Sequence, residues 1–104
     1  MSSIRYEVLL PLKYNDGGTI EDRQFEQTWF ELVSEFHGLT IQPQTLRGLW
    51  MHDGQVYEDT LIRVVLDVPD NEKTEQFFRR FKETLKERFQ QIDIWMTAYP
   101  IRIF

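Results

Sequence analysis

Apolar positions along this chain switch between a period of two and a period near 3.6 residues, and each switch marks a boundary between elements. Ile4, Tyr6, Val8, Leu10 and Leu12 alternate with Arg5, Glu7 and Leu9, the pattern of a half-buried strand. Pro11 predicts that pairing ends or weakens there. Asn15-Asp16-Gly17-Gly18 then supplies turn chemistry. Thr19 is the expected N-cap of a helix running to about Phe36, with Glu21 and Asp22 at the positive end of its dipole. Phe25, Trp29, Leu32, Val33 and Phe36 recur at helical spacing and form its apolar face. His37-Gly38 ends the helix, with Gly38 as the expected cap.

Leu39 to Gln42 reads as a short strand, which Pro43 breaks or places at a sheet edge. Gln44 to Gly48 reads equally as a loop or as a bulged continuation. Gly48 to Pro69 reads as a hairpin: a short strand ending in Trp50, an Asp53-Gly54 turn and a long alternating strand. In that long strand Ile62, Val64, Leu66 and Val68 point one way, and Leu61, Arg63, Val65 and Asp67 the other. Asp70 is the expected N-cap of a second helix, whose buried stripe is Thr74, Phe77, Phe78, Phe81, Leu85 and Phe89. A final strand is expected from Ile92 to about Ile103, with Ile94 and Met96 on one face and Trp95 and Tyr99 on the other.

The order strand, helix, strand, strand, helix, strand predicts one domain, residues 1–104, in the α+β class. Right-handed crossovers put both helices on the same face of one antiparallel four-stranded sheet, with strand order 4-1-3-2. The result is a ferredoxin-like βαββαβ two-layer sandwich. Its other sheet face is then uncovered. That face carries Arg5, Glu7, Leu9, Arg63, Val65, Asp67, Trp95, Thr97, Tyr99 and Ile101, a mixture of charges and apolar residues where a fully wet face would be mostly polar. A second copy packed through the open sheet face, as a homodimer, is the cover this fold predicts.

The segments FHGLT (Phe36 to Thr40), Gly48, Trp50, Gly54, Glu58 and Thr60 of the hairpin, and ERFQQ (Glu87 to Gln91) resemble a family of small bacterial ferredoxin-like domain proteins of unknown function. The resemblance implies the same fold. It implies no activity and no catalytic residues.

Composition narrows the chemistry. A chain of 104 residues with 14% aromatic content can build one aromatic-rich core. It contains no cysteine, which excludes disulfides, thiolate catalysis and Cys-type zinc sites. The net charge is -5, and the basic residues Arg79, Arg80, Lys82, Lys86 and Arg88 are interleaved with Glu83 and Glu87. That mixture reads as a solvated helix face, so no nucleic-acid partner is expected. No signal-like or membrane-spanning run is present, and the expected location is cytoplasmic with no membrane partner.

His52, Asp53, Tyr57, Glu58, Asp59 and Arg63 form the densest set of functional side-chain types. They read either as an acid-base site at the hairpin or as a polar turn with cross-strand charge pairs. Period two puts Tyr57, Asp59 and Arg63 on one face and Glu58 on the other, which disfavours a site using all of them. Arg63 lies mid-strand, where Glu7 or Asp67 is the expected ion-pair partner; the functional alternative is an anchor for a small anionic ligand. His37 and His52 have no metal-ligand spacing, and no metal or other cofactor is expected. The reading that follows is a non-catalytic domain that self-associates or binds a partner through its open sheet face. The alternative is a cofactor-free enzyme or small-ligand binder of the dimeric α/β-barrel type. Its pocket would be framed by Arg63, Trp95 and Tyr99, with Tyr57 and His52 as further candidates.

Overall fold

The computed structural model describes residues 2–104. Strand β1 (Ser3–Pro11) leads through a loop to helix α1 (Asp22–Phe36). Strands β2 (Thr40–His52) and β3 (Gln55–Pro69) form a long hairpin, followed by helix α2 (Glu72–Arg88) and strand β4 (Met96–Ile101). The sheet order is β2-β3-β1-β4, and every neighbouring pair is antiparallel. This is the expected ferredoxin-like topology. The sheet's two edges are therefore β2 and β4.

One sheet face meets the helices. Val8, Leu10, Val64 and Leu66 alternate inward from the two central strands and are almost fully buried. They pack with Leu32 of α1 and with Phe78, Phe81, Leu85 and Phe89 from α2 and its C-terminus. Aromatic rings fill the layer between: Tyr6 stacks on Phe78 with centroids 3.8 Å apart, and Phe36 lies against the same ring at 5.2 Å. Thr28, fully buried on α1, joins the helices. Its hydroxyl donates to the Gln24 carbonyl and accepts from Arg88, whose guanidinium also holds Glu31.

Local chemistry moves several predicted boundaries. Thr19 is not the N-cap of α1, because its backbone forms a bridge with Lys13; Glu21 takes the cap position without a side-chain bond. Asp70 is not the cap of α2. Asn71 is, accepting the Thr74 N–H at 2.9 Å, while the Asp70 N–H donates to the Ser2 carbonyl. At the end of α1 it is His37, not Gly38, that adopts the left-handed conformation, with φ 67°. Its N–H bonds the Val33 carbonyl at 2.7 Å. Strand β2 runs unbroken through Pro43, because a register shift between Gln42 and Leu46 absorbs the missing donor at a sheet edge. It also continues past Trp50 to His52, and Asp53 and Gly54 both take positive φ in the tight turn. Strand β4 is shorter than expected. Residues before Met96 are held in a loop, where Asp93 accepts the Ile94 N–H at 2.9 Å and Gln91 donates to the Phe89 carbonyl at 2.9 Å.

Candidate functional site: the open sheet face and its cavity

The register decides what meets on the uncovered face. Arg5 lies directly opposite Asp67 on one side and Tyr99 on the other. Its guanidinium grips the Asp67 carboxylate with two bonds, at 2.7 and 2.9 Å. That bond holds the Asp67 carboxyl below the usual aspartate range, outweighing partial burial. Glu7 accepts a hydrogen bond from the Tyr99 hydroxyl at 3.2 Å.

Both carboxylates expected to pair with Arg63 are therefore engaged elsewhere. Arg63 faces Leu9 on β1 and Gln42 on β2. Its Nη1 reaches the Gln42 amide oxygen at 3.4 Å, and its buried Nε has no hydrogen-bond partner. The expected structural ion pair at Arg63 does not form, because the Arg5–Asp67 pair is in direct register and Glu7 is opposite Val65.

A cavity of about 310 Å³ opens on the same face beyond Leu9. Leu9 and Leu61 line it, Trp50 and Trp95 flank it, and Asp59 and Asp93 supply its charged groups. Its position follows from the strands. Gly48 sits on β2 opposite Asp59, where a Cβ would lie 2.9 Å from Leu61 Cδ1 and the end of that side chain would have to shift. The next open-face residue on β2, Trp50, stacks on Tyr57 at 4.5 Å and donates its indole N–H to Asp59 Oδ2 at 2.6 Å. Trp95 enters from the loop before β4, where its carbonyl accepts the Leu9 N–H at 3.0 Å.

The two carboxylates have different surroundings. Burial pushes the Asp93 carboxyl up, but Lys82 at 3.2 Å and the Ile94 N–H more than compensate, and it titrates below the usual aspartate range. Asp59 receives only the neutral indole donor. Among the described residues no arginine or lysine lines the cavity.

Of the five pocket candidates Arg63, Trp95, Tyr99, Tyr57 and His52, the structure brings Trp95 to the cavity wall, together with Asp59 from the hairpin cluster. Arg63 lies beside the lining residues Leu9 and Leu61 but outside the wall. Tyr57 supports Trp50 from behind. Tyr99 lies along β4 with Glu7 and Arg5. His52 is at the hairpin tip, with Nε2 3.2 Å from the exposed Asp53 carboxylate. Sequence reasoning missed Trp50, Asp59 and Gly48 as a unit. A glycine inside an alternating strand was the signal that could have found it. Among the described residues no group of three or more His, Asp or Glu side chains is arranged to hold a metal ion. Among them, too, no helix is long and apolar enough to cross a membrane.

No family model and no curated protein matches the chain. Solved structures do. A phage SAM lyase in complex with S-methyl-5′-thioadenosine superposes with a TM-score of 0.71 at 12% identity, over 97% of this chain and 90% of that one. The divalent cation tolerance protein CutA1 from Thermus thermophilus gives 0.64 at 17% identity, over 98% and 86%. CutA1 from Oryza sativa gives 0.66 at 16%, over 100% and 84%. Likeness at such identities shows a shared fold, here that of small ferredoxin-like proteins.

Proposed function

We propose that this chain is a non-catalytic, self-associating domain whose projecting hairpin and open sheet face are covered by further copies of itself. One observation carries the reading. The helix-side face of β3 is buried from Ile62 to Val68, yet on the same face of the hairpin's outer half Leu49, Met51 and Val56 are 64%, 68% and 60% exposed. The helices cover only the inner half. The outer half carries Trp50 stacked on Tyr57 on its opposite face, so exposed apolar groups stand on both sides of it beside the Arg47–Glu58 pair and Asp59. Exposed apolar area on a long edge hairpin is a liability unless something packs on it. The same chain offers the complement, since Leu9, Val65 and Trp95 lie on its open face and the outer edge of β2 is unpaired. A heterologous contact between copies satisfies both surfaces at once.

Light scattering over a range of concentrations tests this. An oligomer is expected for the native chain, and Met51→Lys with Val56→Glu should shift it toward monomer while circular dichroism stays native. A native chain that remains monomeric at high concentration ends the self-association reading.

Arg63 favours a second reading, a small-ligand binder or cofactor-free enzyme with an anion anchored at that guanidinium. Its support is the buried Nε without a partner. Calorimetric titration with benzoate, compared between the native chain and Arg63→Met, tests it; equal or absent binding in both ends it.

A further inference from the structure

We infer that the cavity between Trp50 and Trp95 is a binding site for a small organic cation. Its ammonium head would sit on the Asp59 carboxylate and its apolar body against the two indoles. The argument begins with charge. The cavity has two carboxylates on its wall and, among the described residues, no basic side chain. Asp93 is already neutralised, by Lys82 at 3.2 Å and by a backbone N–H. Asp59 is half-buried and, among the described residues, has no ion-pair partner; its one bond comes from the Trp50 indole, a neutral donor. Of the arginines nearest in the strands, Arg47 is paired with Glu58, and Arg63 lies outside the cavity wall with its Nη1 on the Gln42 amide. A half-buried carboxylate in an apolar wall favours a cation that can accompany it out of water.

The walls agree with the charge. Indole rings attract cations through the negative face of the π system, more strongly than other aromatic side chains. Trp50 is held in place by its stack on Tyr57 and its bond to Asp59, so it costs little ordering on binding. Trp95 is 66% exposed, a large apolar ring standing at the rim with no internal role. The volume, about 310 Å³, falls at the low end of small-molecule pockets, which span ~300–1,000 Å³. Gly48 lines the cavity, and a Cβ there would have to displace the end of the Leu61 side chain. An anion would meet the Asp59 charge in the same space. All these groups belong to one chain, but Leu9 and Trp95 also lie on the face that self-association would cover, so the titrations are made at concentrations where light scattering reads a monomer.

Three phenyl compounds of similar size and different charge test it: phenethylammonium, 2-phenylethanol and 3-phenylpropionate. Each is titrated into the native chain, following the Trp50 indole N–H by NMR and the heat by calorimetry. The ammonium is expected to bind saturably and about tenfold more tightly than the alcohol, with the propionate weakest. Asp59→Asn keeps an acceptor for the indole and should reduce the ammonium to the level of the alcohol. Trp95→Ala should weaken the ammonium several-fold with the fold intact by circular dichroism. The inference is overturned if the alcohol matches the ammonium, if Asp59→Asn leaves ammonium binding unchanged, or if no saturable shift occurs at millimolar concentration. Light scattering on the same samples separates this from the oligomer question: a monomer that binds the ammonium selectively retains the site and loses only the self-association.

Discussion

The Trp50 indole N–H and the Asp59 carboxylate meet diagonally across the hairpin at 2.6 Å, Asp59 standing directly opposite Gly48 rather than Trp50. The bond ties the outer half of β2 to β3 where no helix supports either strand. It is charge-assisted and partly shielded, so Trp50→Phe, which keeps the ring on Tyr57, should cost about 1–2 kcal/mol. Urea denaturation of that variant, of Asp59→Asn and of the double variant measures the coupling. Additive losses would show that the bond contributes no stability.

The start of α2 separates two adjacent cap-type residues. Asn71→Ala removes the acceptor for the Thr74 N–H and should lower stability by about 1 kcal/mol. Asp70→Ala removes no cap bond and should stay within about 0.5 kcal/mol of the native chain. Thermal melts of the two variants side by side check the assignment. A larger loss at position 70 would reverse it.

Arg88 joins the helices, bonding Thr28 at 2.9 Å and Glu31 at 3.1 and 2.5 Å, with only 9% of its side chain exposed. Arg88→Met should destabilise by about 2 kcal/mol, because Glu31 loses its partner while still reaching water. Adding Glu31→Gln should recover part of that loss. Chemical denaturation of the single and double variants reads it.

Acid acts through Asp67. Its carboxyl is held below the unfolded value of roughly 3.9 by the hydrogen bond from Arg5. A depressed carboxyl contributes stability above its unfolded pKa and loses it as pH falls through the folded pKa. The gap in melting temperature between the native chain and Asp67→Asn should therefore be full at neutral pH and close below about pH 4. A gap unchanged down to the folded pKa would mean that the ionised pair contributes nothing.

Much of the architecture was legible in the chain. The alternation of Ile62, Val64, Leu66 and Val68 named the buried face of β3, and the Phe77 to Phe89 spacing named the packing side of α2. Asp53-Gly54 announced the hairpin turn, since both positions need positive φ. Less legible were the ends. Thr19 and Asp70 looked like caps by residue type, but Lys13 and Ser2 engage their backbones, and those partners are distant enough that local propensity does not register them. Pro43 looked like a break, yet at a sheet edge a register shift costs little.

The candidate site was less visible than the fold. Arg63 drew attention because it is a charge in mid-strand, and Glu7 and Asp67 were reasonable partners by face. Which carboxylate pairs with which arginine depends on register across three strands, and register put Asp67 against Arg5. The hairpin segment from Trp50 to Glu58 looked like polar decoration. Its Trp50 joins Trp95, forty-five positions along the chain, only because β2 and the loop before β4 reach the same cavity from opposite edges of the sheet.

The pattern of apolar spacing by itself determined the order of the elements and the buried faces of β1, β3 and α2, because burial acts on every residue through its own position in a helix or strand; Val33, expected on the apolar face of α1, is instead 45% exposed. The tertiary structure alone decided which charges are satisfied and where a cavity opens. Those outcomes depend on distances between side chains far apart in sequence, and a single step of register would exchange every pair.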